Sequence, residues 1–171
     1  EAEKGESYRV AVGMLHSTPS IIDALTQITT EGIKQVIAII CSPQYSSIIM
    51  SGYHRAIEAG TASLSPDVTV HVANTWHTLP SFLDALGQRV LEALNRFPPE
   101  ERNNVPVIMT AHSLPKSVVD REPEFVGQLQ ETAQAIADRV GLASNRWRFA
   151  YQSAGHTAEE WLKPDIKDLF P

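Results

Sequence analysis

The sequence predicts an α/β protein built from parallel sheets flanked by helices. Five short runs rich in Val, Ile or aromatic residues, near 8–12, 36–41, 68–73, 105–110 and 147–151, have the length and composition of strands. The segments between them place apolar residues at helical spacing. Strand and helix therefore alternate along the chain, the signature of βαβ units and parallel pairing.

The first helix is expected from Pro19 to about Glu31. Ile21, Ile22, Leu25 and Ile28 share one face, Thr18-Pro19 supplies a cap and an N1 proline, and Gly32 stops it. The second is expected from about Ser47 to Ala59, with Gly60 as its stop. The third runs from Pro80 to Phe97, with Phe82, Leu83, Leu86, Val90, Leu91 and Leu94 as its stripe. The fourth covers about Glu124 to Val140 before Gly141, and a fifth is expected to start near His156–Thr157. The polar, proline-bearing stretch Arg96–Asn104 lacks apolar periodicity and reads as a linker. It divides the chain into residues 1–100 and 101–171.

Composition narrows the function classes. A formal net charge of −6, with no basic face, argues against nucleic acid as a partner. No run reaches the roughly 18 apolar residues of a membrane span, and Glu1–Glu6 has no apolar core of a signal peptide. The chain is read as cytoplasmic, with contact at a membrane surface left open. The single cysteine, Cys41, allows no internal disulfide and reads as a small buried residue at a strand end.

In parallel α/β folds ligands sit beyond the carboxyl ends of the strands. The stretch Val107-Ile108-Met109-Thr110-Ala111-His112-Ser113-Leu114-Pro115 runs a buried strand straight into a histidine. Imidazole, with an ordinary pKa of about 6.5, accepts a proton or ligates a metal near neutrality. The residues alone leave a satisfied structural histidine as an equal reading.

That stretch resembles the signature of the ferrochelatase family: two apolar residues, any residue, Ser/Thr, any residue, His, Gly/Ser, an aliphatic residue and Pro. Further segments carry the same likeness. Tyr151-Gln152-Ser153 and Trp161-Leu162-Lys163-Pro164-Asp165-Ile166 are similar to the family's Gln-Ser strand end and Trp-Leu-x-Pro-Asp segment. Upstream, Gly13-Met14-Leu15-His16-Ser17-Thr18-Pro19 resembles its Gly-x-x-His-x-x-Pro turn. Ser42-Pro43-Gln44-Tyr45-Ser46 with Tyr53 resembles its Pro-x-aromatic-Ser turn and tyrosine-bearing helix. The likeness covers essentially the whole chain and is closest to the bacterial enzymes that metallate coproporphyrin.

The resemblance implies a lyase of haem biosynthesis that inserts ferrous iron into a porphyrin, coproporphyrin III or protoporphyrin IX. Iron is then a substrate, and no prosthetic group is implied. It implies a chelatase-like fold of two Rossmann-like domains, each incomplete here, with residues 101–171 carrying the catalytic histidine. His112 matches the histidine that takes pyrrole protons or ligates the metal. Tyr53 matches a position on the porphyrin's propionate side, and His16 a histidine at the cleft rim. Leu15 stands where a lysine is common, and Glu122-Pro123-Glu124-Phe125 replaces a Gly-Asp-Pro-Tyr-like turn. The family's catalytic glutamate, opposite the histidine, matches no carboxylate of this chain, so little or no catalysis is expected from it alone. The competing readings are a non-catalytic porphyrin- or haem-binding module and a chelatase for another divalent metal. No Gly-x-Ser-x-Gly elbow, P-loop or dinucleotide fingerprint appears.

Overall fold

The structure, a computed structural model, describes residues 8–170. Four strands form two separate two-stranded parallel sheets flanked by helices, which is the α/β class the alternation predicts. The chain divides into two compact units. One comprises Ser47–Asn74 with the chain up to Ser42, and the other comprises Pro43–Ser46 with the chain from Thr75 onward. The polar stretch 96–104 lies within the second unit, between a helix and a strand.

In the first unit, α1 (Ile21–Thr30) starts at Ser20 rather than at Thr18. Ser20 Oγ accepts from the Asp23 amide at 3.1 Å, and the Asp23 carboxylate accepts from the Ser20 amide at 3.1 Å. This reciprocal pair satisfies two donors that the first turn leaves open, which Pro19, lacking an N–H, does not do. Gly32 ends the helix with φ 88°, a left-handed turn that glycine adopts without steric cost. Strand β1 (Gln35–Ile39) pairs with β2 (Thr69–Ala73) in parallel, Val36 opposite Val70 and Ile39 opposite Ala73. Helix α2 (Ser47–Ala62) links them. Ile21, Leu25, Val36, Ile40, Met50 and Ile57 form the core on one face of this sheet. Strand alternation sends Ile37 and Ile39 to the other face, where they are 70% and 62% exposed.

Three expectations fail here. Residues 8–12 join neither sheet, and Tyr8, Val10 and Val12 are exposed; a strand needs a neighbouring ladder, and their apolar character alone does not supply one. Gly60 does not stop α2. It is buried in the last turn of the helix, where a Cβ would lie 2.8 Å from Leu25 Cδ1, so it marks close helix packing. Cys41 is exposed, since β1 ends at Ile39 and Ile40 is the last inward residue.

In the second unit, α3 (Pro80–Leu94) packs against α5 (Pro123–Arg139), with Gly87 facing Val140 and Arg139 paired to Asp84. Strand β3 (Val107–His112) pairs in parallel with β4 (Trp147–Gln152), and a single turn, α4 (Lys116–Val119), lies between β3 and α5. Phe125, Ala133, Ile136 and Ala137 of α5 are buried. Arg146 donates to the carbonyls of Arg102 and Val105 at 2.7 and 3.0 Å and secures the entry to β3. The fifth helix is absent. Residues 156–165 are irregular and Ile166–Leu169 make only a 3₁₀ turn, because Pro164 and the backbone pairing of Trp161 with Pro115 and of Asp165 with Tyr151 remove the helical bonds.

Valine at position 60 tests the packing of the first unit. Gly60→Val is expected to destabilise the chain by about 1–3 kcal/mol by overpacking against Leu25, read as a lowered urea midpoint. A midpoint at or above the wild-type value would show that the two helices tolerate a side chain there.

Candidate functional site

The three residues singled out by the sequence fall in different units: His16 and Tyr53 in the first, His112 in the second. His16 sits in the turn before α1 and is exposed. The Leu15 side chain covers Gly52, where a Cβ would lie 2.9 Å from Leu15 Cδ2. Leu15 and Tyr53 both pack, partly buried, against the same core cluster. The turn bearing His16 is thereby seated on the helix turn bearing Tyr53.

His112 is the last residue of β3 and is exposed at its carboxyl end. The strand begins and ends later than the apolar run suggested, at 107–112 rather than 105–110, so the histidine belongs to the ladder itself and stands opposite Gln152. Its Nδ1 lies 2.7 Å from the carbonyl oxygen of Ser113. A carbonyl only accepts, so Nδ1 must carry the proton, and in the neutral ring Nε2 holds the lone pair. Among the described residues Nε2 has no hydrogen-bond partner. Ser113 is fully buried; its amide donates to the Gln152 carbonyl at 2.7 Å and its hydroxyl to the Leu162 carbonyl at 3.4 Å. Immediately after Gln152, Ser153 takes φ 58° and leaves the strand direction.

Polar contacts that sequence patterns did not reveal gather on α5. The Ser46 hydroxyl donates to Glu122, the Tyr45 amide to Gln128 Oε1 at 2.7 Å, and the Gln44 amide to Thr132 Oγ1 at 3.0 Å. His77 is buried; its Nε2 meets Glu131 at 2.9 Å and its Nδ1 meets Thr75 Oγ1 at 2.9 Å. No sequence motif marks these pairs, whose members, the local Thr75–His77 pair apart, lie 54 to 88 positions apart. An apolar groove of about 630 Å³ runs beside β3, walled by Phe82, Leu86 and Val90 of α3, Leu129 and Ile136 of α5, and Phe149. Among the described residues no three His, Cys, Asp or Glu side chains converge as a metal site, so His112 stands as a single donor. Among the described residues, too, no helix is long and apolar enough to cross a membrane.

Parallel βαβ units, one of them ending on an imidazole with an open nitrogen, make an α/β protein whose architecture is consistent with a chelatase-like fold. The family model for ferrochelatase matches residues 1–170. The ferrochelatase of Deinococcus radiodurans is 36% identical over 167 residues, which is 98% of this chain and 53% of that protein. The ferrochelatase of Herpetosiphon aurantiacus is 35% identical over 168 residues, 98% of this chain and 54% of that protein. The coproporphyrin III ferrochelatase of Geobacillus kaustophilus is 32% identical over 169 residues, 99% of this chain and 52% of that protein. The chain belongs to the ferrochelatase family, and it spans about half the length of these curated relatives.

Tyr151, beside the histidine's ladder, is 2% exposed, and its hydroxyl has no partner among the described residues. Burial pushes its phenol above the ordinary range. The unfolded chain then ionises first, so stability is unaffected below the unfolded value of about 10 and falls as pH rises through that value towards the folded one. Tyr151→Phe is expected to raise stability at neutral pH by about 1 kcal/mol, by removing an unsatisfied buried hydroxyl. It is also expected to abolish this part of the alkaline loss. Urea unfolding of both proteins at neutral and alkaline pH measures it; a less stable phenylalanine variant at neutral pH would mean that the hydroxyl is bonded.

Proposed function

We propose that this chain is part of an enzyme that inserts ferrous iron into a porphyrin during haem biosynthesis, with coproporphyrin III as the porphyrin. Family membership supports the reaction class, and the names of relatives such as that of Geobacillus kaustophilus support the porphyrin. One observation carries the role of His112: its Nδ1 is committed to a backbone carbonyl and its Nε2 is left open at a strand end. A porphyrin loses two N–H protons as a metal enters. A fixed nitrogen lone pair beside the ring accepts such a proton or holds the incoming ion. His112 is therefore assigned both the catalytic role and the role of metal donor.

Tyr53 and His16 are assigned to the porphyrin. A phenol donates to a propionate carboxylate while its ring packs on the macrocycle, and the seating of Leu15 over Gly52 supports a shared surface for the two residues. Iron is the substrate, and the reading requires no prosthetic group. It places the reaction in the cytoplasm, a setting in which the single free Cys41 stays reduced.

Coproporphyrin III titrated onto the chain is expected to shift the porphyrin's absorption band saturably. Tyr53→Phe is expected to weaken binding about tenfold, the effect of one hydrogen bond to a charged group. Iron insertion by this chain alone is expected to be little or none. No binding by the wild-type chain would refute the reading for this polypeptide, unchanged affinity of Tyr53→Phe would remove that residue from the site, and full turnover would show that the chain needs nothing more.

A further inference from the structure

The segment Glu160–Asp165 has no role in the reading above, yet it is tied both to the turn behind His112 and to β4. The Lys116 amide donates to the Glu160 carbonyl at 2.8 Å and the Leu162 amide to the Leu114 carbonyl at 3.0 Å. Trp161 forms an antiparallel bridge with Pro115. The Ser113 hydroxyl donates to the Leu162 carbonyl, and the Tyr151 amide donates to the Pro164 carbonyl at 2.8 Å. The segment is thus laced to residues 113–116 on one side and to β4 on the other. Gly155 locks it in place. A Cβ at that position would lie 2.5 Å from Trp161 Cζ2, so the indole rests directly on the glycine backbone, with its Nε1 donating to Thr157 Oγ1 at 2.9 Å.

We infer that this strap is a positioning element for His112: by holding the Leu114 carbonyl and the Ser113 hydroxyl through Leu162, it fixes the Ser113–Leu114 peptide, whose carbonyl selects the Nδ1–H tautomer of the ring. The Ser113 amide, in the peptide before, is bound to Gln152, and the Leu114 carbonyl, in the peptide after, is bound to the Leu162 amide. The Ser113–Leu114 peptide between them is held at both flanks while the strap stays seated, and Ser113 itself is fully buried. Nε2 then carries the lone pair in essentially every neutral molecule. Without the strap the carbonyl loses its direction and the proton distributes over both nitrogens, halving the supply of open lone pairs and blurring their aim. A backbone partner on the far nitrogen is how donor histidines are commonly oriented. The inference deepens the proposed role of His112 and rests on it for its functional meaning, but the tautomer itself is independent of any porphyrin.

Long-range 1H–15N correlation spectra of the histidine rings test it on the ligand-free chain, at a pH where the rings are neutral. The wild-type spectrum is expected to show His112 as the Nδ1–H form. Gly155→Ala, which drives a methyl into the indole, is expected to shift the tautomer ratio about fivefold or more towards a mixture, the size that one net hydrogen bond carries. Ser113→Ala, which removes only the bond to Leu162, is expected to shift it in the same direction by less. His77 is the internal reference. Its Nε2 meets the Glu131 carboxylate, so its neutral ring is the opposite tautomer and should stay so in both variants. If alanine at 155 unfolds the chain, seen as loss of the His77 pattern, Ser113→Ala decides alone. An Nε2–H form of His112 in the wild type, or an unchanged ratio in a folded variant, overturns the inference. A chain that shows the expected tautomers but binds no porphyrin would sink the functional reading and leave the strap's action standing.

Discussion

The second unit depends on one register: β3 and β4 run parallel with His112 opposite Gln152 and Ser113 bonded to the Gln152 carbonyl. In a strand, the N–H and C=O of one residue point to the same side, and successive residues alternate. The Val107 and Ser113 amides both donate towards the β4 side, to Arg146 and Gln152. The odd-numbered residues therefore face β4, and Ile108, Thr110 and His112 turn their backbone groups towards the opposite edge. A shift of one residue would exchange the two sets and send the imidazole anchor, the Ser113 carbonyl, to the wrong side. The site is specified by pairing before any side chain is considered.

The two units position their candidate residues by different physics. In the first, the turn carrying His16 is seated by packing of Leu15 over Gly52, a contact that fixes distance but leaves the ring of an exposed histidine free to choose its rotamer. In the second, a directional bond of 2.7 Å sets the plane and tautomer of His112. Directional bonds suit a nitrogen that must meet one atom. Looser packing suits residues that face a broad, flat ligand, where contact area matters more than angle. The difference fits the separate tasks assigned to His112 and to the His16 and Tyr53 pair.

Much of this was legible in the sequence, and the misses share a cause. All four strands and the four long helices lie within a few residues of where period and composition put them, because a buried face imposes its spacing on the sequence. His112 became a candidate because a strand ends on it and because its stretch resembles the ferrochelatase signature; the strand end alone left a structural histidine as an equal reading. What failed depends on partners that a local pattern does not contain. Residues 8–12 have the composition of a strand but join no ladder, Gly60 looks like a stop but is a packing contact with Leu25, and 156–165 look able to begin a helix but are taken up by backbone bonds to distant segments. The Ser46–Glu122 and His77–Glu131 pairs were invisible for the same reason. The tautomer of His112 required a carbonyl position, which no one-dimensional reading supplies.

A single oriented imidazole also limits what His112 does in the proposed reaction. Imidazole nitrogen binds iron, nickel, copper and zinc, and on its own it follows their common order of affinity, in which ferrous iron ranks low. One such donor therefore does not select iron. With no cluster of further donors among the described residues, selection has to come from metal supply, from the porphyrin or from groups that complete the site. What the strand end does provide is direction. The lone pair is held at one point by a bonded peptide, and that is the requirement for receiving a pyrrole proton or for handing an ion to a ring whose nitrogens face one way. On this view the separation of tasks is physical: β3 and the strap aim the nitrogen, and the identity of the metal is decided elsewhere.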